Sequence, residues 1–277
     1  MRIANEEDRD GIIQYLSHDV DNCIYLYIDM NTYPVCSENI SVWIEQDNDG
    51  ISLVLMKYYD SFQIYSHKPL ECPEQIGQLI EQYHVSMVSG PRQIIEQLAP
   101  VCYNYFAEYG EAFQIYNYCK EPVVEGIIRA TQDDAEEIAK LLCSDKEFGN
   151  NYSEESLAKQ LRDRIRMNLG RSYFVRVNGE IVAHTATYAE SQEVAVLSGA
   201  IVKKEYKKSD FFSNLNDYLT WELEKEGKTM YAFAIKPKMI RWLSYCSRQC
   251  AQYGKLVRMK NKSEDDSVCP GMKSTEE

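Results

Sequence analysis

The pattern Ala4-x3-Asp8-x3-Ile12-x3-Leu16 returns 126 residues later as Ala130-x3-Asp134-x3-Ile138-x3-Leu142. An internal repeat of this length constrains the fold more than any short motif, because one supersecondary plan must serve both copies. Each copy opens with a short apolar run, RIA or GIIRA, then a cap residue, Asn5 or Thr131, with an acid three residues on. That spacing is a capping box or a close variant, and the apolar residues at four-residue intervals behind it predict an amphipathic helix. A second landmark repeats at nearly the same offset. Asp49-Gly50 lies between VWIEQ and ISLVLM, and Asn178-Gly179 lies between YFVRV and EIVAHTATY. Such pairs between strand-like runs predict hairpins, because both turn positions need φ > 0.

Each half is therefore expected to run strand, helix, further helix, hairpin, strand, helix, strand, helix. The late elements of the first half are SFQIYSH, PEQIGQLIEQYH, VSMVSG and PRQIIEQLAP. Those of the second are VAVLSGAIV, a helix over 213–226, TMYAFAI and a helix over KMIRWLSYCSRQ. A turn-prone stretch at Glu121-Pro122 sets the expected boundary, giving domains 1–122 and 123–260. The polar, Pro/Gly-punctuated segment 261–277 is expected to be a disordered tail.

A net charge of −13 argues against nucleic acid or an anionic membrane as partner, since both need excess Lys and Arg. The start, MRIANEEDRD, has no apolar segment of signal-peptide type, and the longest apolar runs are too short to span a bilayer. A cytoplasmic location is expected. The nine cysteines form no C-x-x-C pair and the four histidines are scattered, so free thiols and no metal are expected. No nucleophile elbow, H-E-x-x-H, P-loop or dinucleotide fingerprint occurs.

Against this acidic background one segment is basic. VKKEYKKSDFFSNL follows the strand-like AVLSGAIV and opens a helical pattern. A strand, a short loop and a helix N-terminus form an anion site, because unpaired backbone N–H groups and the helix dipole face the loop. Such loops usually hold glycines; this one holds four lysines, an aspartate and two phenylalanines.

With its elements in this order, residues 1–258 resemble the GNAT acetyltransferase superfamily in its two-copy form. The most specific part is GRSYFVRVNGEIVAHTATYAESQEVAVLSGAIVKKEYKKSDFFSNL. The resemblance implies an α+β fold, a tandem duplication of domains each with a mixed, mostly antiparallel sheet flanked by helices. It implies acetyl-CoA, or another acyl-CoA, as cosubstrate and a small-molecule amine as acceptor. The strand end Ala200, Ile201 and Val202 would pair with the pantetheine arm. Lys207, Lys208, Ser209, Asp210, Phe211, Phe212 and Ser213 would hold the pyrophosphate. The pattern is departed from at Lys204, which replaces a proline, at Lys207, which replaces an arginine, and at Lys208, Asp210 and Phe212, which replace small residues. Lys238 and Gln249-Cys250 depart from the pattern of the last helix.

On that helix Tyr245 falls at the position of a tyrosine that returns a proton to the thiol. Glu190, at the end of TATYAE, is the candidate base for the amine, with Glu193 beside it. Each has a plainer alternative: the lysines as a solvated turn, Tyr245 as a packing residue, Glu190 as an exposed strand end. His184 is expected to be a half-buried strand histidine, and Trp221 and Trp242 to be packing residues. The first half has no phosphate-loop signal in KPLEC. It is expected to be a non-catalytic copy that packs against the second half, or else to shape the acceptor cleft. An N-acyltransferase is the leading expectation. A non-catalytic GNAT-like binding or scaffold protein is the alternative, and an acyl carrier protein in place of free CoA ranks third.

Overall fold

The computed structural model describes residues 1–116 and 121–259; the expected tail, 261–277, lies outside them. The first half contains β1 (Arg2–Ile3), α1 (Arg9–Ser17), α2 (Val20–Thr32), β2 (Cys36–Ser37), β3 (Ile40–Asp47), β4 (Gly50–Tyr58) and β5 (Ser61–Ser66). It continues with α3 (Pro73–Tyr83), β6 (Met87–Pro91), α4 (Arg92–Leu98) and β7 (Tyr105–Ile115). The second half contains β8 (Ile127–Arg129), α5 (Ala135–Cys143), α6 (Lys146–Asn151), α7 (Glu154–Met167), β9 (Ser172–Val177), β10 (Glu180–Glu190) and β11 (Val194–Val202). It closes with α8 (Phe211–Lys225), β12 (Thr229–Ala234), α9 (Pro237–Cys246) and β13 (Ser247–Arg258).

The repeat is visible in local physics. Asn5 with Asp8 and Thr131 with Asp134 form the two capping boxes, each opening a short 3-10 turn that leads into α1 or α5. Asn178 and Gly179 both take left-handed φ, 52° and 84°, as a tight hairpin of this type requires. The first hairpin differs from expectation by one residue. Its turn is Asn48-Asp49, held by the Asp49 N–H donating to the Asp47 side chain, and Gly50 with φ 116° already begins β4.

The described strands form one mixed sheet, ordered β1-β3-β4-β5-β6-β13-β7-β12-β11-β10-β9-β8, with β2 on β3. Only β5–β6 and β11–β12 run parallel; the other pairs are antiparallel. The order reads alike from both ends apart from one exchange at the centre. The last strand of each half lies beside the other half: β13 pairs with β6, and β7 pairs with β12. The expected last helix therefore ends early. Ser247 is extended (φ −156°, ψ 168°), and Arg248 and Gln249 pair with Gln114 and Phe113 of β7. The gain of a central ladder outweighs helix propensity there.

In each half, apolar clusters cover both faces of the sheet. Ile12, Leu16 and Leu26 pack on one face of the first half, and Ile76, Ile80, Ile94 and Leu98 on the other. Ile138, Leu142 and Leu161 correspond to the former in the second half, and Leu215, Leu219 and Leu223 to the latter. The halves are joined by α2, whose Ile24 and Ile28 are buried against Val194, Val196 and Tyr231 of β11 and β12. Each such side chain contributes about 1.5–3 kcal/mol by burial, so the join is a core rather than a loose contact.

Candidate active site

The site begins with a defect in β11. Opposite β10 the register runs Ala186↔Ser198 and then His184↔Ile201, so β11 carries an extra residue. Gly199 sits in this bulge with φ 68°, and a Cβ there would lie 3.1 Å from the Tyr188 hydroxyl and 3.2 Å from the His184 ring. Only glycine meets both demands without strain. A bulge bends its strand. The parallel pairing of β11 with β12 stops at Leu197↔Ala232, and the two strands part beyond it. Between them opens a cleft of about 650 Å³, bounded by Ser198–Ile201, the first turns of α8, the end of β12, and α9. Past Leu197, the β12-facing edge of β11 has no ladder partner among the described residues, so its backbone groups are available to a ligand.

The basic loop lies between β11 and α8. Phe211 turns inward against Tyr206 and the core, with ring centroids 6.0 Å apart, while Phe212 turns into the cleft and meets Trp242 edge-on at 6.0 Å. Asp210 at the N-cap of α8 makes no side-chain cap bond. Ser209 Oγ accepts a 3.4 Å bond from the Phe211 N–H, and Ser213 Oγ donates to the Asp210 carbonyl. Lys203 is committed to Glu180. Lys204, Lys207 and Lys208 are exposed and have no acidic partner within 4.0 Å among the described residues.

Of the residues singled out from sequence, Ala200, Ile201, Phe212, Ser213 and Tyr245 line the cleft. Tyr245 stands at its outer rim, 83% exposed. Trp242, expected to pack, is 49% exposed and forms cleft wall, because its side of α9 faces the gap rather than the sheet. Glu190 is elsewhere. It accepts from Arg171 Nη2 (2.5 Å), Lys228 Nζ (3.0 Å) and Thr187 Oγ1 (2.7 Å), and lines a separate surface pocket that includes Glu193. Burial would raise its pKa, but these three donors hold it below the ordinary range, so it is a spent charge rather than a base. His184 is more buried than expected, 1% exposed, with Nδ1 2.7 Å from the Gly199 carbonyl. Burial drives its pKa down to about 4, so it is neutral near pH 7.

Sequence reasoning did not reach the inner end of the cleft. There Tyr25, Phe148, Ser198 and Phe233 also line a second, smaller cavity of about 180 Å³ between the halves. Tyr188, Arg164 and Asp29 line that cavity. The isolated glycine in AVLSGAIV was the available signal, since a lone glycine in a strand marks a bulge. Among the described residues no cluster of three or more His, Cys, Asp or Glu is arranged to hold a metal, and no helix is long and apolar enough to cross a membrane.

This architecture recurs in solved structures. A Drosophila protein matches with a TM-score of 0.69 at 11% identity, over 93% of this chain and 98% of its own. A GCN5-related N-acetyltransferase-like protein from Streptococcus suis gives 0.60 at 10% identity, over 91% and 100%. A tandem GNAT protein from the clavulanic acid biosynthesis pathway gives 0.56 at 10% identity, over 92% and 96%. The chain has the GNAT fold. Two GNAT-like copies stand in tandem and share one sheet. No family model matches the sequence, and no curated protein matches it. In this GNAT-fold chain the second copy carries the open cleft, but not alone. Ile115 and Tyr116 of the first half, and Tyr25 of α2, complete its walls.

Proposed function

We propose that the protein is an acyl-CoA-dependent N-acyltransferase, with acetyl-CoA the favoured donor and a small amine the acceptor. The observation that carries this reading is the bulge-splayed gap between β11 and β12. It opens beside an α8 N-terminus whose N-cap residue Asp210 makes no side-chain cap bond, and three lysines without an acidic partner among the described residues flank that terminus. The acyl-pantetheine arm would lie along Ser198–Ile201, with the thioester at the junction of the two cavities and the pyrophosphate at the loop.

Catalysis would be chiefly positioning. The amine nitrogen attacks the thioester carbonyl carbon, the C–S bond breaks, and the thiolate takes up a proton that the nitrogen loses. A general acid or hydrogen-bond donor must lie within reach of the developing charge. The Tyr188 hydroxyl, beside Gly199 and with no hydrogen-bond partner among the described residues, is better placed for this than the rim residue Tyr245. Burial raises the Tyr188 pKa, so its phenol stays protonated and acts as a donor.

Thermal unfolding with millimolar acetyl-CoA, with CoA and ATP as controls, tests the reading. Occupancy at 100 times the dissociation constant stabilises by about 2.7 kcal/mol, a midpoint shift of about 5–10 °C in a chain of this size. A shift with acetyl-CoA and not ATP, followed by CoA release with an amine, supports the proposal; no shift in folded protein sinks it. The Phe212–Trp242 contact across the cleft mouth favours the rival, a GNAT-fold binding protein. That rival expects a shift without CoA release on any amine.

A further inference from the structure

The 180 Å³ cavity between the halves holds an unusual set of polar atoms. Six buried side-chain polar atoms among the described residues lack a hydrogen-bond partner. Three of them, Arg164 Nη1, Tyr188 OH and Gln63 Oε1, belong to residues lining this one cavity. Native interiors leave few such atoms, and a cluster of them marks a place where ordered water, an ion or a ligand supplies the bonds. Arg164 is the most telling. Its guanidinium lies 4.7 Å from the centre of the Tyr188 ring and has no carboxylate within 4.0 Å among the described residues. Arginine stays protonated at any working pH, and an enclosed guanidinium without a counter-charge is expensive. Its planar fork matches a carboxylate bidentately.

The cavity also holds the opposite charge. Asp29 is 6% exposed, and its Oδ2 accepts a 2.7 Å bond from Gln63 Nε2. It does not reach Arg164, so a cation and a carboxylate face one space without neutralising each other. Burial raises the Asp29 pKa to about 6, against the opposing Gln63 bond and the Arg164 charge. The volume is that of about six waters at ~30 Å³ each, which suits a molecule of fewer than ten heavy atoms. Its mouth is the junction where the cleft ends.

We propose that this cavity is the acceptor site and that the acceptor is a small amino acid, its carboxylate held by Arg164 and its amino group between Asp29 and the thioester. The proposal rests on the acyltransferase reading above. An ammonium entering the site gives one proton to Asp29, and the free amine attacks the thioester carbon. The C–S bond breaks, the thiolate receives a second nitrogen proton, and the third remains on the amide formed. The products are an N-acylamino acid and CoA.

The test is acylation of glycine, L-alanine, L-serine and L-glutamate by acetyl-CoA with the full chain. The methyl ester and the decarboxylated amine of each serve as controls. The free acids are expected to exceed both controls by about 100-fold in kcat/KM, because a buried charge left unpaired is a strong discriminator. Arg164→Gln is expected to raise KM for the acids by about 100-fold, and to erase most of the preference for the acids over their esters, with the acetyl-CoA thermal shift retained. Arg164→Lys, which keeps the charge and loses the fork, should fall between. Esters or simple amines used as well as the acids, or acids unaffected by Arg164→Gln, overturn the proposal. If acetyl-CoA gives no thermal shift, the acyltransferase reading falls by itself. Calorimetric titration of the four amino acids into wild type and Arg164→Gln then decides the site alone, and no binding overturns it.

Discussion

The two halves each have one parallel strand pair, and they treat the gap beyond it in opposite ways. In the second half the bulge at Gly199 bends β11 off β12, and the cleft opens. In the first half β5 pairs with β4 in unbroken register from Leu53↔Ser66 to Tyr58↔Ser61. Gly90 of β6 lies so close that a Cβ on it would be 2.5 Å from the Ile64 carbonyl oxygen. The loop after β5 then turns inward. Leu70 joins the cluster of Ile64, Ile76, Ile95 and Leu98, and its N–H donates 2.8 Å to Gln97 Oε1 on α4. One extra residue in a strand separates a ligand cleft from a filled core. The first copy instead lends Ile115, Tyr116, Tyr25 and Asp29 to the space around the second.

The comparison extends to charge. Asp29 stands three residues before the last residue of α2, and Arg164 three before the last residue of α7. The last turns of α2 and α7 thus carry opposite charges into one cavity. The Asp29 carboxyl, raised to about 6 by burial, gives the largest expected effect. Between about pH 4 and 6 the folded protein holds a proton that the unfolded chain has released. Stability therefore falls as pH rises through that window, by about 3 kcal/mol in all. Asp29→Asn should abolish that slope. Urea unfolding from pH 4 to 8, taken as the difference between wild type and variant, removes the opposing contribution of His184, and no difference would mean that Asp29 is not strained by burial.

Breaking the bulge comes next. Gly199→Ala places a methyl group against Tyr188 and His184 at a left-handed φ, which costs about 1–2 kcal/mol of stability. It should also weaken acetyl-CoA by about 100-fold, since straightening β11 narrows the cleft. Unfolding midpoints with and without acetyl-CoA separate the two effects. Breaking the plug in the other half should do the reverse. Leu70→Ala is expected to cost about 2 kcal/mol through the cavity left behind, with the acetyl-CoA shift unchanged. If Leu70→Ala removed the ligand response and Gly199→Ala kept it, the two copies would have been assigned the wrong roles.

The capping boxes, the Asn178-Gly179 turn and the loop before α8 were legible because each depends on a few adjacent residues. The exchange of β7 and β13 was not. Periodicity says that Tyr105–Ile115 or Ser247–Arg258 can be a strand, but the choice of a partner more than 130 positions away is made by the assembled sheet. For the same reason the α9 pattern runs on through Gln249 while the chain leaves the helix at Ser247. In the site, the strand edge and Phe212 were found from the loop. Arg164 and Asp29 read as ordinary helix charges, because only the packing of one half on the other makes the positions internal. The place of Glu190 at a strand end is visible in sequence, whereas its pairing with Arg171 and Lys228 arises only in the folded chain.

The smallest effect addresses how a loop without glycines would hold phosphates. Lys204, Lys207 and Lys208 are exposed, and Asp210 stands among them at the N-cap of α8. Exposed pairs of opposite charge, such as a surface lysine and a phosphate, contribute about 0.2–1 kcal/mol each at low salt. Replacing all three lysines by alanine should therefore weaken acetyl-CoA about tenfold, and the loss should shrink above about 0.5 M salt. Asp210→Asn should act oppositely, tightening binding a few-fold by removing a like charge. Titrations at two salt concentrations read both. If the lysine variant bound acetyl-CoA unchanged at low salt, the backbone of α8 would be holding the anion unaided, and the lysines would be only the solvated face of a turn.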